Sequence, residues 1–246
     1  MKTHLTICIL VLILCSAIAI AGDSTEQSAL EPSITVNEVL KRYIDAVGGR
    51  DAIEKLTTRV SSGRLITNLP SREPPVYDST SFETYAGLLH RYLMISTTPD
   101  GVERAGFDGK IGWRQNADGI KRDEQPLRSK PAWLFDPQGA LHITDYFPDL
   151  TVTGMEQIFN RPVYLLESKD LEQAQYGLYF DVASGLLLRI GYYWDLQDYR
   201  TVDDVLIPHR VVTSRKGGSS TYHFDEVKHN VALNDSLFVM PTEPKQ

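Results

Sequence analysis

Apolar and polar residues alternate in short runs along most of the chain, and the clearest run spans residues 176–213. Tyr176, Leu178 and Phe180 fall on one side of this pattern, and a turn follows at residues 183–185. Strict alternation between Gly and Asp turns predicts half-buried antiparallel strands joined by short hairpins. A sheet of this kind has one apolar face, which another part of the chain must cover.

The next predicted strand continues this apolar face through five residues: Leu186, Leu188, Ile190, Tyr192 and Trp194. A further hairpin is predicted at residues 199–211, with its turn at Asp203-Asp204. Other strands are predicted at residues 57–68, 76–85, 88–97, 150–159, 163–168 and 219–227. The chain therefore reads as a mainly β protein with a large antiparallel sheet.

Three Asp-Gly dipeptides, Asp100-Gly101, Asp108-Gly109 and Asp118-Gly119, lie between short apolar runs. Asp-Gly is a preferred pair for tight hairpin turns, because glycine adopts the positive φ that such turns need. Repeated aspartates also suggest calcium, but these lack the alternating spacing of a calcium-binding loop. We interpret all three as turns.

An amphipathic helix is predicted ahead of the strands. Thr35 and Glu38 have the spacing of a capping box, which marks the start of a helix. Apolar residues then recur at helical spacing, at Val36, Val39, Leu40, Tyr43, Ile44 and Val47. Gly48-Gly49 ends the helix, and a second short helix is predicted at residues 51–56. The apolar stripe indicates packing against the sheet.

Residues 128–149 interrupt the alternation and form an aromatic insertion between two β regions. The insertion contains Trp133, Phe135 and Phe147, and three prolines divide it. Because proline cannot donate a backbone hydrogen bond, we expect short helical or irregular pieces rather than a strand. Two interpretations are open at this stage: the insertion is a buried plug of the core, or it is a movable flap over a cavity.

The first 21 residues have the pattern of a secretory signal peptide. Lys2 precedes an apolar run, and Ala19-Ile20-Ala21 is a cleavage site of the A-x-A type, so we expect the mature chain to begin at Gly22. A lipid anchor at Cys15 is disfavoured, because Leu14 occupies the position where lipidation signals have a small residue. Export to the periplasm is therefore predicted.

The remaining chain is predicted to contain a flexible tether at residues 22–33, one domain at residues 34–241 and a tail at residues 242–246. Both cysteines lie within the predicted signal peptide, so the domain relies on its core rather than on disulfides. The formal net charge is −7, and no basic run is present. This charge argues against nucleic acid or an anionic lipid surface as a partner, and we expect a monomer.

A search for catalytic motifs yields no candidate nucleophile, and no histidine pair has the helical spacing of a metal site. His209, His223 and Asp225 fall on neighbouring predicted strands, and we interpret them as polar side chains on the sheet rather than as an acid–base or metal site. Asp198 and Asp203-Asp204 are interpreted as turn or edge residues. We therefore predict no catalytic residues, no metal and no cofactor.

Several stretches together resemble the LolA-like family, which is related to the outer-membrane lipoprotein carriers. They occur in the expected order and include GFDGKIGWRQ (residues 106–115), TGMEQIFNRPVYLLE (153–167), LYFDVASGLLLRI (178–190), VLIPHRVV (205–212) and LNDSLFVMP (233–241). The resemblance implies an incomplete, strongly curved antiparallel barrel whose open side is plugged by helices. It also implies carriage of a lipid or lipoprotein across the periplasm.

These observations lead to one functional hypothesis and two alternatives. The hypothesis is a periplasmic, non-enzymatic protein that holds an acyl chain, lipid or lipoprotein between the sheet and its helical cover. The candidate lining residues are Tyr92, Met94, Trp113, Trp133, Phe135, Phe147, Phe180, Leu188, Ile190 and Tyr192. The first alternative is an envelope scaffold with a filled core, and the second, which we favour less, is a hydrolase.

Overall fold

The computed structural model describes residues 34–124, 132–168, 176–191 and 193–242. The predicted signal peptide and tether, Tyr192, and the last four residues of the chain lie outside the described residues. The same holds for residues 128–131 at the start of the predicted insertion.

Helix α1 (Val36–Ala46) begins at the predicted capping box. The Thr35 hydroxyl accepts a hydrogen bond from the Glu38 amide, and the Glu38 carboxylate accepts one from the Thr35 amide. The chain then turns at Gly48, where φ is +129° and an added Cβ would lie 2.3 Å from the Asp204 carbonyl oxygen. Only glycine fits this close approach, which seats the end of α1 against the sheet.

A short helix α2 (Arg50–Ile53) follows α1 directly. In the part of the chain that the structure describes, no helix has the length and apolar character needed to cross a bilayer.

Within the described residues, thirteen strands form one antiparallel sheet. In chain order they are β1 (Thr58–Leu69), β2 (Val76–Gly87), β3 (Tyr92–Thr98), β4 (Gly101–Phe107), β5 (Gly112–Asn116), β6 (Gly119–Asp123), β7 (Thr151–Ile158), β8 (Arg161–Ser168), β9 (Tyr176–Asp181), β10 (Leu187–Ile190), β11 (Trp194–Val202), β12 (Val205–Arg215) and β13 (Gly218–His229). The three Asp-Gly pairs lie in or beside the links between β3, β4, β5 and β6, as predicted.

The strand order shows why the sheet stays open. It runs β6-β5-β4-β3-β2-β1-β13-β12-β11-β10-β9-β8-β7, so the first and last strands pair in the middle. Among the described strands, β6 and β7 are therefore the two edges, and the chain between them links one edge to the other. That link contains two short helices, α3 (Ala132–Phe135) and α4 (Ile143–Tyr146). The predicted fold class, a curved antiparallel sheet forming an incomplete barrel with helices against it, is confirmed.

The main core lies between one face of the sheet and the helical elements, and we call this face the inner face. Val39 and Tyr43 of α1 pack there with Ile53 of α2, and the Tyr43 ring meets Phe180 of β9 edge to face. Trp133, Phe135, Ile143 and Phe147 of the insertion join the same cluster. The helices and the insertion thus cover the apolar face that the sequence predicts.

The outer face of the sheet has its own cover near β3 and β5. Leu93 and Trp113 cluster with Phe238 of the C-terminal segment, and the Trp113 indole N–H donates to the Phe238 carbonyl oxygen at 2.8 Å. Leu93 alternates with Tyr92 and Met94, which belong to the main core, so this cluster is on the opposite face. The C-terminal segment therefore seals the outer side.

Candidate functional site

Seven of the ten predicted lining residues lie together in the main core under the helices and the insertion. They are Tyr92, Met94, Trp133, Phe135, Phe147, Phe180 and Ile190. Trp113 and Leu188 are buried in separate clusters, and Tyr192 lies outside the described residues. The inner face is therefore the surface on which a ligand would contact the predicted residues.

A β-bulge accounts for the position of Leu188. Leu187 pairs with Phe180, but Arg189 pairs with Tyr179, so one residue of β10 is extra at this point. The extra residue brings Leu187 and Ile190 to the inner face and turns Leu188 towards Tyr179 on the other side. The alternation predicted for residues 186–194 fails here, and the run also breaks at a turn after Ile190, so that β11 begins only at Trp194.

Trp113 is buried as its alternation suggests, with 2% of its surface exposed, but it faces the C-terminal segment instead of the insertion. Gly106 lies directly opposite on β4, and a Cβ there would come within 2.5 Å of the indole ring. The ring therefore occupies the space above a glycine on the outer face. Neither Trp113 nor Leu188 faces the interior.

Three small cavities lie along the inner face among the residues that the structure describes, with volumes of about 10, 30 and 10 Å³. A cavity of about 10–15 Å³ holds a single water molecule. An acyl chain therefore fits in these three spaces only if some protein side chains leave the positions that they now occupy.

Leu134 of α3 is the residue that separates these spaces, because it lines all three cavities. The first cavity also touches Met94, Phe135 and Phe224, and the third touches Val227. The insertion is thus a plug of the core in this structure, as one of the two interpretations predicts.

Aromatic side chains line the first cavity. Trp194 and Tyr222 stack with their ring centroids 6.1 Å apart, and Phe82 meets both Tyr222 and Phe224 edge to face. Phe135 of the insertion packs edge to face on Phe224 at 6.4 Å. These rings are large, rigid apolar surfaces suited to contact with hydrocarbon.

One buried cation holds α3 in place. Arg59 of β1 is only 7% exposed, and its Nη1 donates to the backbone carbonyl oxygen of Leu134 at 2.7 Å. Its Nε donates to Nε2 of His229 at 3.1 Å, and Nδ1 of His229 lies 3.1 Å from the Asp203 carboxylate. The carbonyl of Leu134 is thus held by a charge-assisted hydrogen bond from the sheet.

Burial decides the protonation states of Arg59 and His229. Burial lowers the pKa of Arg59 to about 10, which leaves the guanidinium charged at neutral pH. Burial, together with the nearby Arg59 charge, lowers the pKa of His229 to about 4. His229 is therefore neutral at pH 7, so that Nδ1 donates to Asp203 while Nε2 accepts from Arg59.

A second polar cluster ties the insertion to the loop after β2. The buried carboxylate of Asp136 accepts from the Gln138 amide at 2.8 Å and from the Tyr146 hydroxyl at 3.2 Å, and it lies 3.1 Å from Nδ1 of His142. His90 of the loop bonds to the Tyr146 hydroxyl and lies 3.5 Å from the same carboxylate. This cluster joins the insertion to itself and to the rim of the sheet.

The Asp136 carboxylate is ionised despite its burial. Burial alone would raise the pKa of Asp136, but hydrogen bonds from His90, His142 and the Gln138 amide outweigh it and lower the pKa. Burial and the neighbouring Asp136 charge raise the pKa of Tyr146, which keeps its phenol protonated as a donor. The arrangement is that of a structural anchor, in which each group satisfies another.

Sequence analysis missed the buried residues Arg59, Asp136 and His229 and the half-buried residues His90 and His142. Alternation along β1 places Arg59 on the same face of the strand as Ser61 and Gly63, and this placement could have been predicted from the sequence. No local pattern links Arg59 to His229, which is 170 residues away. The histidines considered earlier, His209 and His223, lie elsewhere. Nδ1 of His209 contacts the carbonyl oxygen of Ile207 at 2.9 Å.

Metal chemistry has no support in the residues that the structure describes. Within those ranges, no group of three or more His, Cys, Asp or Glu side chains is arranged to hold a metal ion.

Comparison with known proteins gives matches only among solved structures. No protein-family model matches the chain, and no curated protein sequence matches it. A DUF1329 family protein from Desulfovibrio piger aligns with a TM-score of 0.58 at 14% identity, covering 83% of this chain and 97% of that one.

Two other similar structures cover most of both chains. A LolA superfamily protein from Nitrosomonas europaea aligns with a TM-score of 0.57 at 12% identity, over 84% of this chain and 98% of that one. A domain from Vibrio parahaemolyticus, named for outer-membrane lipoprotein sorting, aligns with a TM-score of 0.55 at 11% identity, over 74% and 89%. At these identities the likeness concerns the backbone arrangement, and it shows that the chain has the LolA-like fold.

Proposed function

We propose that the protein is a non-enzymatic periplasmic carrier or binding protein for a lipid or lipoprotein, and that an acyl chain of the ligand takes the space of Leu134 and Phe135. The observation that carries this proposal is the position of α3. Leu134 lines all three interior cavities, and its carbonyl is held by Arg59 rather than by strand pairing. A plug held in this way opens without breaking the sheet.

The free energies of burial of apolar groups indicate how long an acyl chain must be to displace α3. Exposing a large apolar side chain costs about 1.5–3 kcal/mol, so releasing Trp133, Leu134 and Phe135 costs about 5–9 kcal/mol. Burying one methylene returns about 0.8 kcal/mol, so about 6 to 11 methylenes offset the opening. A ligand with about ten or more carbons is therefore favoured over a short one.

The fold neighbours add indirect support. One of the similar structures is a LolA superfamily protein, and another is a domain named for lipoprotein sorting. The predicted signal peptide would deliver this chain to the cell envelope.

One specific observation favours a second candidate, a scaffold or interaction module. The three cavities described above together hold no more than a few water molecules, which fits a core that stays closed around α3. The two candidates differ in one respect: only a carrier exchanges α3 for a ligand.

The test is the accessibility of residue 134 to a thiol reagent. Both native cysteines are near the N-terminus, so Leu134→Cys in a Cys8→Ser/Cys15→Ser background places one thiol at the plug. Dodecyl maltoside, below its micelle concentration, should raise the labelling rate at least about tenfold, and butyl maltoside should not, because its chain is shorter than the roughly six methylenes needed to offset opening.

The matched control is Leu93→Cys in the same background, since Leu93 is buried on the outer face. Its labelling rate should not change, which separates movement of α3 from general unfolding. A labelling rate at residue 134 that no alkyl maltoside alters would exclude the carrier and leave the scaffold.

A further inference from the structure

A much larger open space lies at the β6 edge of the sheet, and we call it the edge cleft. It has a volume of about 400 Å³ and is lined by residues of β3 to β6. Cross-strand pairing places Met94, Ala105, Arg114 and Lys121 in one row across these strands. Because paired residues share a face, Arg114 and Lys121 stand on the inner face, in line with Met94 of the core.

The edge cleft concentrates positive charge in an acidic protein. Its lining includes Arg104, Arg114, Lys121 and Arg122 but only one carboxylate, that of Glu103, whereas the whole chain carries −7. Such a reversal of sign in a concave surface attracts anions.

The pairing of these cations leaves one of them available on the inner face. Arg114 contacts Asp123 at 2.8 Å, and Arg104 lies 3.5 Å from the side-chain oxygen of Gln115. Arg122 pairs with Trp113 across the strands and therefore stands on the outer face. Lys121 is exposed on the inner face and forms no ion pair with any residue in the described ranges. An anion against the inner face of the cleft therefore meets Lys121, a cation that has no competing carboxylate, beside Arg114.

The edge cleft adjoins the space that α3 fills. Met94 is a wall of the cleft and also a wall of the first interior cavity, where it faces Leu134 and Phe135. Neighbouring strands are about 4.8 Å apart, so Arg114 is about 10 Å and Lys121 about 14 Å from Met94 along the row. An acyl chain that lies against Met94 would therefore place its polar end near Arg114 and Lys121.

We infer that the edge cleft binds the anionic head group, a phosphate or a carboxylate, of the amphiphile whose acyl chain replaces Leu134 and Phe135. This inference rests on the proposed function and adds to it the class of ligand. Arg114 has the planar fork that suits phosphate or carboxylate oxygens, and Lys121 supplies the unpaired charge. The preferred ligand is therefore a monomeric anionic amphiphile, not a neutral or zwitterionic one.

The test compares dodecyl phosphate with dodecyl maltoside by calorimetry, both below their micelle concentrations, so that only the head differs. The wild-type protein should bind dodecyl phosphate more tightly. The variant Lys121→Gln should weaken the binding of dodecyl phosphate by about 1.4- to 5-fold, the range for one exposed charge contact, and leave the binding of dodecyl maltoside unchanged. Added salt should reduce the preference in the wild type.

The matched control is Lys55→Gln, which removes the same charge from an exposed position outside the cleft lining. It should preserve the preference for dodecyl phosphate. Equal loss in both variants would overturn the cleft and indicate a general effect of net charge.

The remaining outcomes separate the two proposals. If dodecyl maltoside binds and dodecyl phosphate is no tighter, the head-group site is overturned while the acyl site stands. If neither amphiphile binds, both proposals fail.

Two further ligands test whether the head-group site and the acyl site bind one molecule. If inorganic phosphate binds as tightly as dodecyl phosphate and does not affect the binding of dodecyl maltoside, the cleft is an independent anion site and the inference is overturned. Binding to anionic vesicles with no binding of monomeric dodecyl phosphate would also overturn it.

Discussion

Replacing Arg59 with methionine should loosen the insertion without unfolding the sheet. The substitution removes the 2.7 Å hydrogen bond to the Leu134 carbonyl and keeps an apolar chain of similar length in the core. A hydrogen bond from a charged donor contributes about 1.5–3 kcal/mol, so the equilibrium for opening α3 should rise by about 10- to 150-fold. Global stability should change much less, because methionine avoids the burial of a charge.

Hydrogen exchange measures both quantities in one experiment. Local amides such as Gly139 and Leu141, which bond to Asp136 and Gln138 within the insertion, should exchange about 10- to 150-fold faster in the variant. Amides of β12 and β13 should keep their wild-type rates, since they exchange only through larger openings.

A matched control is Arg161→Met, because the Arg161 guanidinium also donates a hydrogen bond, to the buried Asp181 carboxylate at 2.7 Å, but lies at the β8–β9 end of the sheet. It should leave exchange in residues 132–147 unchanged. Equal exchange in the insertion of the Arg59 variant and the wild type would refute the reasoning that Arg59 holds α3.

Three further outcomes are expected. Trp113→Ala should lower the free energy of unfolding by about 3–5 kcal/mol in a denaturant titration, and a loss below about 1 kcal/mol would contradict its burial. The pKa of His229 is about 4 in the folded state and about 6.5 in the unfolded state. At a pH between these two values, His229 is therefore protonated in the unfolded chain and neutral in the folded protein. Stability should therefore fall as the pH drops through that window, and His229→Gln should flatten the fall; an equal fall in the variant would assign it to other groups. Intact-mass measurement of the exported protein should give an N-terminus at Gly22, and a lipid adduct on Cys15 would contradict this.

The fold was predictable because its signals are local. The Thr35 capping box, the Asp-Gly turns and the alternation of short strands each act within a few residues, and all of them appear in the structure. The buried aromatic residues of the insertion followed from composition as well. Strong local preferences that agree with one another specify a fold class.

The details of the site were not predictable, because they depend on distant contacts. A single extra residue in β10 reverses the side on which Leu188 lies, and alternation alone gives no warning of a bulge. Trp113 has the pattern of a core residue, but the segment that covers it comes from Phe238, 125 residues away. The contact between Arg59 and Leu134 likewise joins residues 75 positions apart.

The most direct measurement is a crystal structure of the protein with dodecyl maltoside. We expect the alkyl chain to lie against Met94, Val211 and Phe224, in the space that Leu134 and Phe135 occupy now, and Arg59 no longer to bond to the Leu134 carbonyl. An alkyl chain bound elsewhere, with Leu134 in its present position and the bond to Arg59 intact, would contradict the proposed acyl site.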